Sequence, residues 1–275
     1  MGLSNITYQV GKSPKQEYKL PPVVGVVMFK NDVLVQRARK NSGQHISGKR
    51  NEIMEFTQQA RKRLAFVASN TEVEFEMMIT LTYPADYCND GRAVKRHFHG
   101  FLAWLREQCP EMEYLWFLEF QKRGAPHYHI LVNVQPVYFG STYPMFQVEV
   151  SQCWNKVVRG DHDHLLAGTR TERLRSPLHA RHYAVKYAMK PYQKAVPALY
   201  RNVGRFYGYS RGVKPKPIAY APIRWDQLQE VLKDWPYLPD TETELRKVLF
   251  NTSGTMAASI EPTQLRMDFS SCFDY

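Results

Sequence analysis

A carboxylate and two histidines occupy positions where a β-hairpin would bring them together. Glu119 lies near the end of the run EYLWFLEF, and His127 and His129 begin the run HYHILVNV, with a turn centred near Gly124 between the runs. In a strand, residues i and i+2 point to the same face, so His127 and His129 project together. If the turn has three or five residues, opposed positions sum to an even number, and Glu119 lies across from His127 or His129 on their face.

The chemistry that such a set favours is the binding of a catalytic divalent metal. One carboxylate and two imidazoles leave coordination positions open to water or substrate, as catalysis by a bound cation requires. A pair of hydrogen-bonded or exposed imidazoles with no ligand is the competing interpretation of His127 and His129. The opposed carboxylate favours the metal.

Two other histidine pairs are weaker candidates. In RHFHG, His97 and His99 lie in a predicted helix from about Gly91 to Gln108, where a two-residue step rotates by about 200°. The two imidazoles therefore cannot face one ion. In DHDH, from Asp161 to His164, the polar sequence predicts a solvated loop.

A second chemical feature is a helix predicted from Leu178 to Lys190, which Ser176 can cap and Pro191 ends. At 100° per residue, one polar face of this helix carries two tyrosines and two lysines. They are Tyr183, Lys186, Tyr187 and Lys190. An amphipathic helix whose surface tyrosines cover lysine stems would show the same pattern.

A phenol is a poor nucleophile near neutral pH because its pKa is about 10. Attack on a phosphodiester requires that the phosphate charge be neutralised and the phenolate stabilised, which a metal ion and ammonium groups can supply. The proposed metal ligands and the tyrosine-lysine face occur in one chain. Together they indicate phosphoryl-transfer chemistry more specifically than either feature does alone.

The charge distribution indicates a nucleic acid partner. The chain of 275 residues has 37 Lys and Arg against 26 Asp and Glu, a net charge of +11. From Arg173 to Arg224 there are twelve cations and no Asp or Glu, with tyrosines interleaved. Cations that neutralise phosphates beside rings that stack on bases suit single-stranded nucleic acid, although a merely solvated basic surface is also compatible.

Other compositional signals exclude several classes of protein. No run of about 18 apolar residues occurs, and the N-terminus lacks the apolar core of a signal peptide, so we expect a soluble cytoplasmic protein with no membrane partner. Four cysteines are scattered without a C-x-x-C pair, which argues against a zinc ribbon or a disulfide framework.

The predicted elements define an α+β fold, with an antiparallel sheet and helices on one face. Strands are predicted for VVGVVMF, for VEFEMMITLTY, for both arms of the hairpin, and for TRTERLRS as an edge strand. Helices are predicted from about Arg50 to Ser69, Gly91 to Gln108 and Phe146 to Val158. A further helix is predicted for WDQLQEVLKDW.

These motifs resemble those of HUH-superfamily endonucleases, in the branch of rolling-circle replication initiators with two active-site tyrosines. MITLTY is similar to the first motif of that family, GAPHYHILV with the preceding glutamate to its histidine motif, and YAVKYAMK to its tyrosine motif. The doubled tyrosine-lysine helix and GRFYGYSRG are similar to segments in the initiators of small single-stranded DNA phages. The resemblance extends over roughly residues 72–213.

The resemblance implies an activity and a fold. Such a protein nicks one DNA strand at a replication origin, forms a 5′-phosphotyrosine, and leaves a 3′-hydroxyl that a host polymerase extends in the bacterial cytoplasm. A second tyrosine then releases and closes a circular single strand. The implied fold is a ferredoxin-like or RRM-like sheet carrying the metal, with the tyrosine helix over it. The corresponding division is 1–70 as an N-terminal extension, 71–225 as the endonuclease domain, 226–250 as a helical segment and 251–275 as a flexible tail.

The resemblance also implies roles for individual residues. Mg²⁺ or Mn²⁺ would bind to Glu119, His127 and His129; Tyr183 or Tyr187 would attack the phosphate, while Lys186 and Lys190 would position it or stabilise the phenolate. The DNA strand would be held by Arg201, Arg205, Tyr207 and Arg211. The first motif contains Thr80 and Thr82, to which we assign no chemistry, and packing within the strand would explain them equally well.

Some features separate this interpretation from its alternatives. No G-x-x-x-x-G-K-[ST] motif is present, so strand separation would require a host helicase. A single-strand transposase of the same superfamily is one alternative, but two-tyrosine transposases usually carry a cysteine-rich zinc domain. A non-catalytic nucleic-acid-binding regulator and a metal-dependent hydrolase without a covalent intermediate are the others.

Overall fold

The fold is described from a computed structural model of the chain. The structure describes residues 23–30, 33–37, 53, 55–176, 183–184 and 196–224. The predicted helix at 178–190 lies outside this part of the chain except for Tyr183 and Ala184, which are helical. The predicted helix WDQLQEVLKDW and the predicted flexible tail lie wholly outside it.

A five-stranded antiparallel sheet forms the centre of the described molecule. Its strands are β3 (Met77–Thr82), β4 (Tyr114–Phe120), β5 (Pro126–Val132), β6 (Thr169–Arg173) and β7 (Tyr207–Tyr209). They are arranged in the order β6-β3-β5-β4-β7, so β6 and β7 form the edges. The α+β class, the hairpin strands and the edge strand within TRTERLRS are confirmed.

One face of the sheet is covered by two helices, α2 (Gly91–Gln108) and α3 (Tyr143–Val158). Phe98 of α2 stacks on Tyr128 of β5 with ring centroids 4.2 Å apart, and Trp154 of α3 is fully buried. Asp90 caps α2 by accepting hydrogen bonds from the amides of residues 92 and 93. Tyr128 and Ile130 therefore point into the core, which leaves the alternate residues of β5 on the opposite face.

The N-terminal part of the described chain adds a helix and a second sheet. Helix α1 (Gln58–Asn70) places Leu64 and Val67 in the same hydrophobic cluster as the central strands. Strand β1 (Val23–Met28) pairs with β2 (Val33–Arg37) and with β8 (Ala219–Arg224) in a three-stranded antiparallel sheet. The domain boundaries proposed from the sequence remain predictions.

Two element boundaries and one element type differ from the sequence-based expectation. Helix α1 begins at Gln58 rather than near residue 50, because Thr57 provides the N-cap by accepting from the Ala60 amide. Helix α3 begins at Tyr143, three residues early, where Thr142 caps it. The predicted solvated loop DHDH is wrong, because Asp161 caps a short helix, α4 (His162–Ala167).

Candidate active site

The register of the central strands brings the predicted histidines and carboxylate together. Across β4 and β5, Glu119 lies directly opposite His127, and Phe117 lies opposite His129. The alternation of the strands therefore places Glu119, His127 and His129 on one face of the sheet, opposite the face that α2 covers. The predicted pairing of Glu119 with one of the two histidines is confirmed.

The length of the hairpin turn fixes this register. Residues 121–125 form a five-residue connection, in which the Gln121 amide donates to the Ala125 carbonyl at 2.9 Å. Gly124 has a φ of +82°, a left-handed conformation that residues with a Cβ atom adopt only at a cost. A turn longer or shorter by one residue would move His127 and His129 to the face that packs on α2.

The three side chains form a compact and mostly buried group. Glu119 is 2% exposed and His129 is 3% exposed, with 3.6 Å between His129 Nε2 and Glu119 Oε2. The rings of His127 and His129 have centroids 4.6 Å apart and are nearly perpendicular. Phe117 stacks on His129 at 4.9 Å and closes one side of the group.

Two threonines of β3 hold the two imidazoles by their Nδ1 atoms. Thr82 Oγ1 is 3.0 Å from His127 Nδ1, and Thr80 Oγ1 is 3.3 Å from His129 Nδ1. The pairing of β3 with β5 places each threonine directly opposite its histidine. Packing within the strand is therefore not the only role of these residues, and the first motif contacts the histidine motif side chain to side chain.

The threonine contacts influence which ring nitrogen is available to a ligand. A hydroxyl can accept a hydrogen bond from Nδ1–H, and in that tautomer Nε2 keeps its lone pair. Ligand histidines in metal sites usually have their second nitrogen hydrogen-bonded in this way, which orients the ring. Thr80 and Thr82 are thus suited to present two Nε2 atoms on the site face.

The carbonyl group of Thr82 is itself held by two N–H donors from the helices. Trp154 Nε1 donates to it at 2.7 Å, and His164 Nε2 donates to it at 2.8 Å. His164 is buried, and its Nδ1 is 2.7 Å from Asn155 Oδ1. One histidine of DHDH therefore anchors the end of β3 beside the site, which its polar sequence surroundings did not reveal.

The electrostatic environment keeps His127 neutral. The pKa of His127 is lowered to about 3, mainly by burial and also by the nearby His129 and Arg123. Neutral imidazole is the form that binds metals.

The histidines of the other pair, His97 and His99 on α2, have different surroundings, as predicted. His97 contacts the Tyr83 hydroxyl at 3.2 Å, whereas His99 is exposed.

The site does not have a closed ligand geometry. In the part of the chain that the structure describes, no group of three or more His, Cys, Asp or Glu side chains is arranged so that it could hold a metal ion. Glu119 and His129 approach each other closely, while the ring of His127 turns its Nδ1 to Thr82. The residues are thus assembled by the fold, and a common ligand position would require rotation of at least one side chain.

We expect Thr82→Val to weaken binding of Mn²⁺ about 10- to 100-fold, because the His127 ring loses the hydroxyl that orients it. Thr82→Ser, which keeps the hydroxyl, should restore most of the affinity. The measurement is titration of free Mn²⁺ by electron paramagnetic resonance. Thr171→Val, the same change in β6 on the opposite face, is the control, and equal effects of the two valines would contradict the assignment.

Arg123 joins the hairpin turn to the segment that follows β3. Its guanidinium donates to the carbonyl of Pro84 at 2.8 Å and to that of Tyr83, while the Tyr87 hydroxyl donates to its carbonyl. The end of β3, which carries Thr82, is thereby connected to the turn between β4 and β5 outside the sheet ladder. This role of Arg123 was not predicted from the sequence.

Arg123→Met should lower the free energy of unfolding by about 1–3 kcal/mol, because two carbonyl groups lose a charged donor. Denaturant unfolding followed by circular dichroism measures the effect. Lys122→Met removes an exposed cation from the adjacent position of the turn and should leave the unfolding midpoint nearly unchanged. A similar loss in both variants would mean that the bridge contributes nothing.

The structure describes only one residue of the predicted tyrosine-lysine face. Tyr183 is half-buried and packs against the hydrophobic core, next to the fully buried Ala184. Lys186, Tyr187 and Lys190 lie outside the described residues. The proximity of these four side chains to the histidines remains a prediction.

Several other tyrosines have structural positions. Tyr83, Tyr128 and Tyr200 are buried, and burial raises the pKa of each hydroxyl. Tyr200 donates to the carbonyl of Cys88 at 2.7 Å and stacks on Phe120. These phenols pack in the core, so they do not offer exposed rings to nucleic acid.

The predicted strand-holding residues cluster around the edge strand β7. Arg201, Arg205 and Arg211 are exposed, and Tyr207 is half-buried opposite Phe117. The loop that carries Arg211 is ordered by Glu113, which accepts from the Gly212 amide at 3.0 Å and from the Ser210 hydroxyl. Their contact with DNA remains a prediction.

The described molecule is thus an α+β protein with a carboxylate and two histidines assembled on one face of an antiparallel sheet. Residues 76–192 match the model of a family described as Replication-associated protein ORF2/G2P. The matched segment is less than half of the chain, but it contains the histidine site and the predicted tyrosine helix. This match supports a replication initiator, which implies DNA as a partner.

No curated protein gives a significant match to the chain. No helix in the described part of the chain combines the length and the apolarity that crossing a bilayer requires.

Proposed function

We propose that this protein initiates rolling-circle DNA replication by nicking and rejoining single-stranded DNA at an origin. The observation that carries the proposal is the contact of three strands, in which Glu119 faces His127 and two threonines hold both imidazoles. A second support is the family match over residues 76–192. The protein would be an endonuclease and strand transferase that works through a 5′-phosphotyrosine.

By its chemistry the donor set suits a divalent cation such as Mg²⁺ or Mn²⁺, once a side chain rotates to bring the three groups to one ligand position. Its ligands would be the Glu119 carboxylate and the Nε2 atoms of His127 and His129, and imidazoles favour Mn²⁺. The 3.6 Å between His129 Nε2 and Glu119 Oε2 is near the roughly 3 Å between adjacent ligands that lie about 2.1 Å from one octahedral ion. When bound, the cation would polarise the scissile phosphate.

The chain itself supplies the nucleophile. The Oη atom of Tyr183 or Tyr187 forms a bond to phosphorus while the bond between phosphorus and the 3′ oxygen breaks. The phenol loses its proton, and the departing 3′ oxygen gains one. One phosphodiester is exchanged for another, so that breaking and rejoining the strand need no ATP.

Cations of the chain would lower the cost of this step. Lys186 and Lys190 follow each tyrosine by three residues and would stabilise the phenolate or position the phosphate. Arg201, Arg205, Arg211 and Tyr207 would hold the DNA strand on either side of the scissile bond. These contacts fix the position of the phosphorus atom relative to the phenol.

The second tyrosine would act after one round of synthesis. It attacks the regenerated junction, which releases the displaced strand and allows its ends to be joined into a circle. A host polymerase would extend the 3′-hydroxyl, and a host helicase would separate the strands, both in the cytoplasm of a bacterial cell. At each step, the tyrosine that is not bonded to DNA would thus be the one that attacks.

The proposal is tested with purified protein, Mn²⁺, and single-stranded oligonucleotides from the replicon that encodes it. Each oligonucleotide is labelled at either end, and the products are resolved on a denaturing gel. We expect the fragment on the 3′ side of the nick to migrate with the protein. Cleavage without an adduct would favour a metal-dependent hydrolase, and tight binding without cleavage would favour a non-catalytic regulator.

A further inference from the structure

A cleft lies on the face of the sheet opposite the histidines, where α2 passes over β7. It has a volume of about 560 Å³. Trp116 forms part of its wall, and the alternation of β4 places Trp116 on the face opposite Glu119. None of the residues given a role in the proposed reaction lines this cleft except Arg205.

The cleft is lined with basic side chains. Lys95, His99 and Arg106 form one stripe of α2 at i, i+4 and i+11, and Arg205 faces them from the segment before β7. No Asp or Glu is among the residues that line the cleft. Among the described residues, no carboxylate pairs with Lys95, Arg106 or Arg205.

Lys95 is held at the floor of the cleft. Its ammonium donates to the Arg205 carbonyl at 2.6 Å and lies 4.4 Å from the centre of the Trp116 ring. Burial and the nearby Arg205 lower the pKa of Lys95 to about 7. A bound phosphate would favour the charged form of this group.

Aromatic groups complete the lining. Tyr209 is 38% exposed, and Tyr114 is partly exposed beside it. A Cβ atom at Gly208 would lie 2.8 Å from the indole Nε1 of Trp116, so that only glycine allows β7 to pack on the indole at this point. Rings next to unpaired cations are the two components that bind single-stranded nucleic acid.

The cleft is continuous with the histidine face around the edge of the sheet. A second cleft of about 500 Å³ lies on the histidine face, between α1 and β7, and is lined by Arg63 and Tyr207 as well as by Glu55. Both clefts share Arg205, Gly208 and Tyr209. Tyr207 lies opposite Phe117, whose ring stacks on His129. The two clefts therefore meet at β7, and packed side chains connect the cleft on the histidine face to the histidine site.

We propose that the cleft between α2 and β7 binds a segment of single-stranded DNA that continues around β7 from the strand at the histidine site. The proposal rests on the proposed function, since the occupant is the DNA strand that would be nicked. Arg106 and Lys95 contact phosphates, and Tyr209 stacks on a base. An acidic protein would also meet the cations, but the residues that the two clefts share around β7 favour the strand already bound at the site.

The test measures binding by fluorescence anisotropy in EDTA, so that its outcome does not depend on nicking. Oligonucleotides of about 8 and about 25 nucleotides are compared, since OB-fold domains that bind single strands cover about 4–16 nucleotides each. We expect the affinity of the full-length protein, counted per binding site on the strand, to be higher for the longer strand than for the shorter one. The double variant Lys95→Met with Arg106→Gln should lose most of this gain in affinity. Affinity for the longer strand should fall roughly tenfold, and the slope of log K against log salt should decrease by about 1.

A matched double variant controls for the loss of charge. Lys156→Met with Arg96→Gln makes the same two substitutions at exposed positions that line neither cleft, and it should retain the gain. Arg106→Gln alone should show part of the loss without disturbing the Lys95 hydrogen bond. If both double variants bind the longer strand equally, or if the unmodified protein shows no gain with length, the proposal is overturned whether or not the protein nicks DNA.

Discussion

Replacing Tyr183 and Tyr187 together by phenylalanine should abolish the protein–DNA adduct and reduce nicking by at least about 1000-fold. Phenylalanine keeps the ring that packs against the core at position 183 but removes the attacking oxygen. DNA affinity, measured by anisotropy, should remain within about threefold of the original value. The adduct is quantified on a denaturing gel with 3′-labelled DNA.

The single variants test whether the tyrosines alternate. Tyr183→Phe and Tyr187→Phe should each still form one adduct, but neither should release a closed circle, because closure needs a second phenol. Tyr143→Phe removes the same atom from a tyrosine that donates to the Thr171 carbonyl, and it should leave the reaction intact. An undiminished adduct in the double variant would assign the nucleophile to another residue and refute the proposed mechanism.

The active-site geometry was predictable where it depends on strand periodicity alone. Two histidines at i and i+2 had to share a face, and a five-residue turn around Gly124 had to place Glu119 opposite one of them. Helix α2 was also predictable, since its capping residue Asp90 and the proline after it bound a clear apolar stripe. These features follow from contacts that are local in the chain.

The features that were missed depend on contacts between distant segments. The bond between Thr82 and His127 joins residues 45 apart, and that between His164 and the Thr82 carbonyl joins residues 82 apart. A polar run such as DHDH favours a loop until a partner is known that can accept its buried N–H. The cleft of Lys95 likewise exists only because the sheet order places β7 beside β4, where its residues and those of α2 line one cleft.

Glu119→Gln should lower the rate of Mn²⁺-dependent nicking roughly 100-fold or more, since an amide is a much weaker ligand than a carboxylate. A readout independent of catalysis is the shift of the melting temperature with added Mn²⁺. A ligand at 100 times its Kd stabilises the folded state by about 2.7 kcal/mol, so the original protein should show a clear shift that the variant loses. His127→Ala should behave in the same way.

A control from the same sheet separates the loss of a ligand from the loss of a charge. Glu172→Gln on the edge strand β6 removes a carboxylate that already pairs with Arg170 at 2.6 Å, so both the Mn²⁺ shift and the nicking rate should be retained. Glu119 differs because it is 2% exposed and lies directly opposite His127. If Glu119→Gln keeps the Mn²⁺ shift but loses nicking, the carboxylate acts on the DNA or on a proton rather than on the cation. If the original protein shows no shift at all, the three residues do not form a metal site, and the neutral His127 beside Glu119 becomes a candidate for proton transfer.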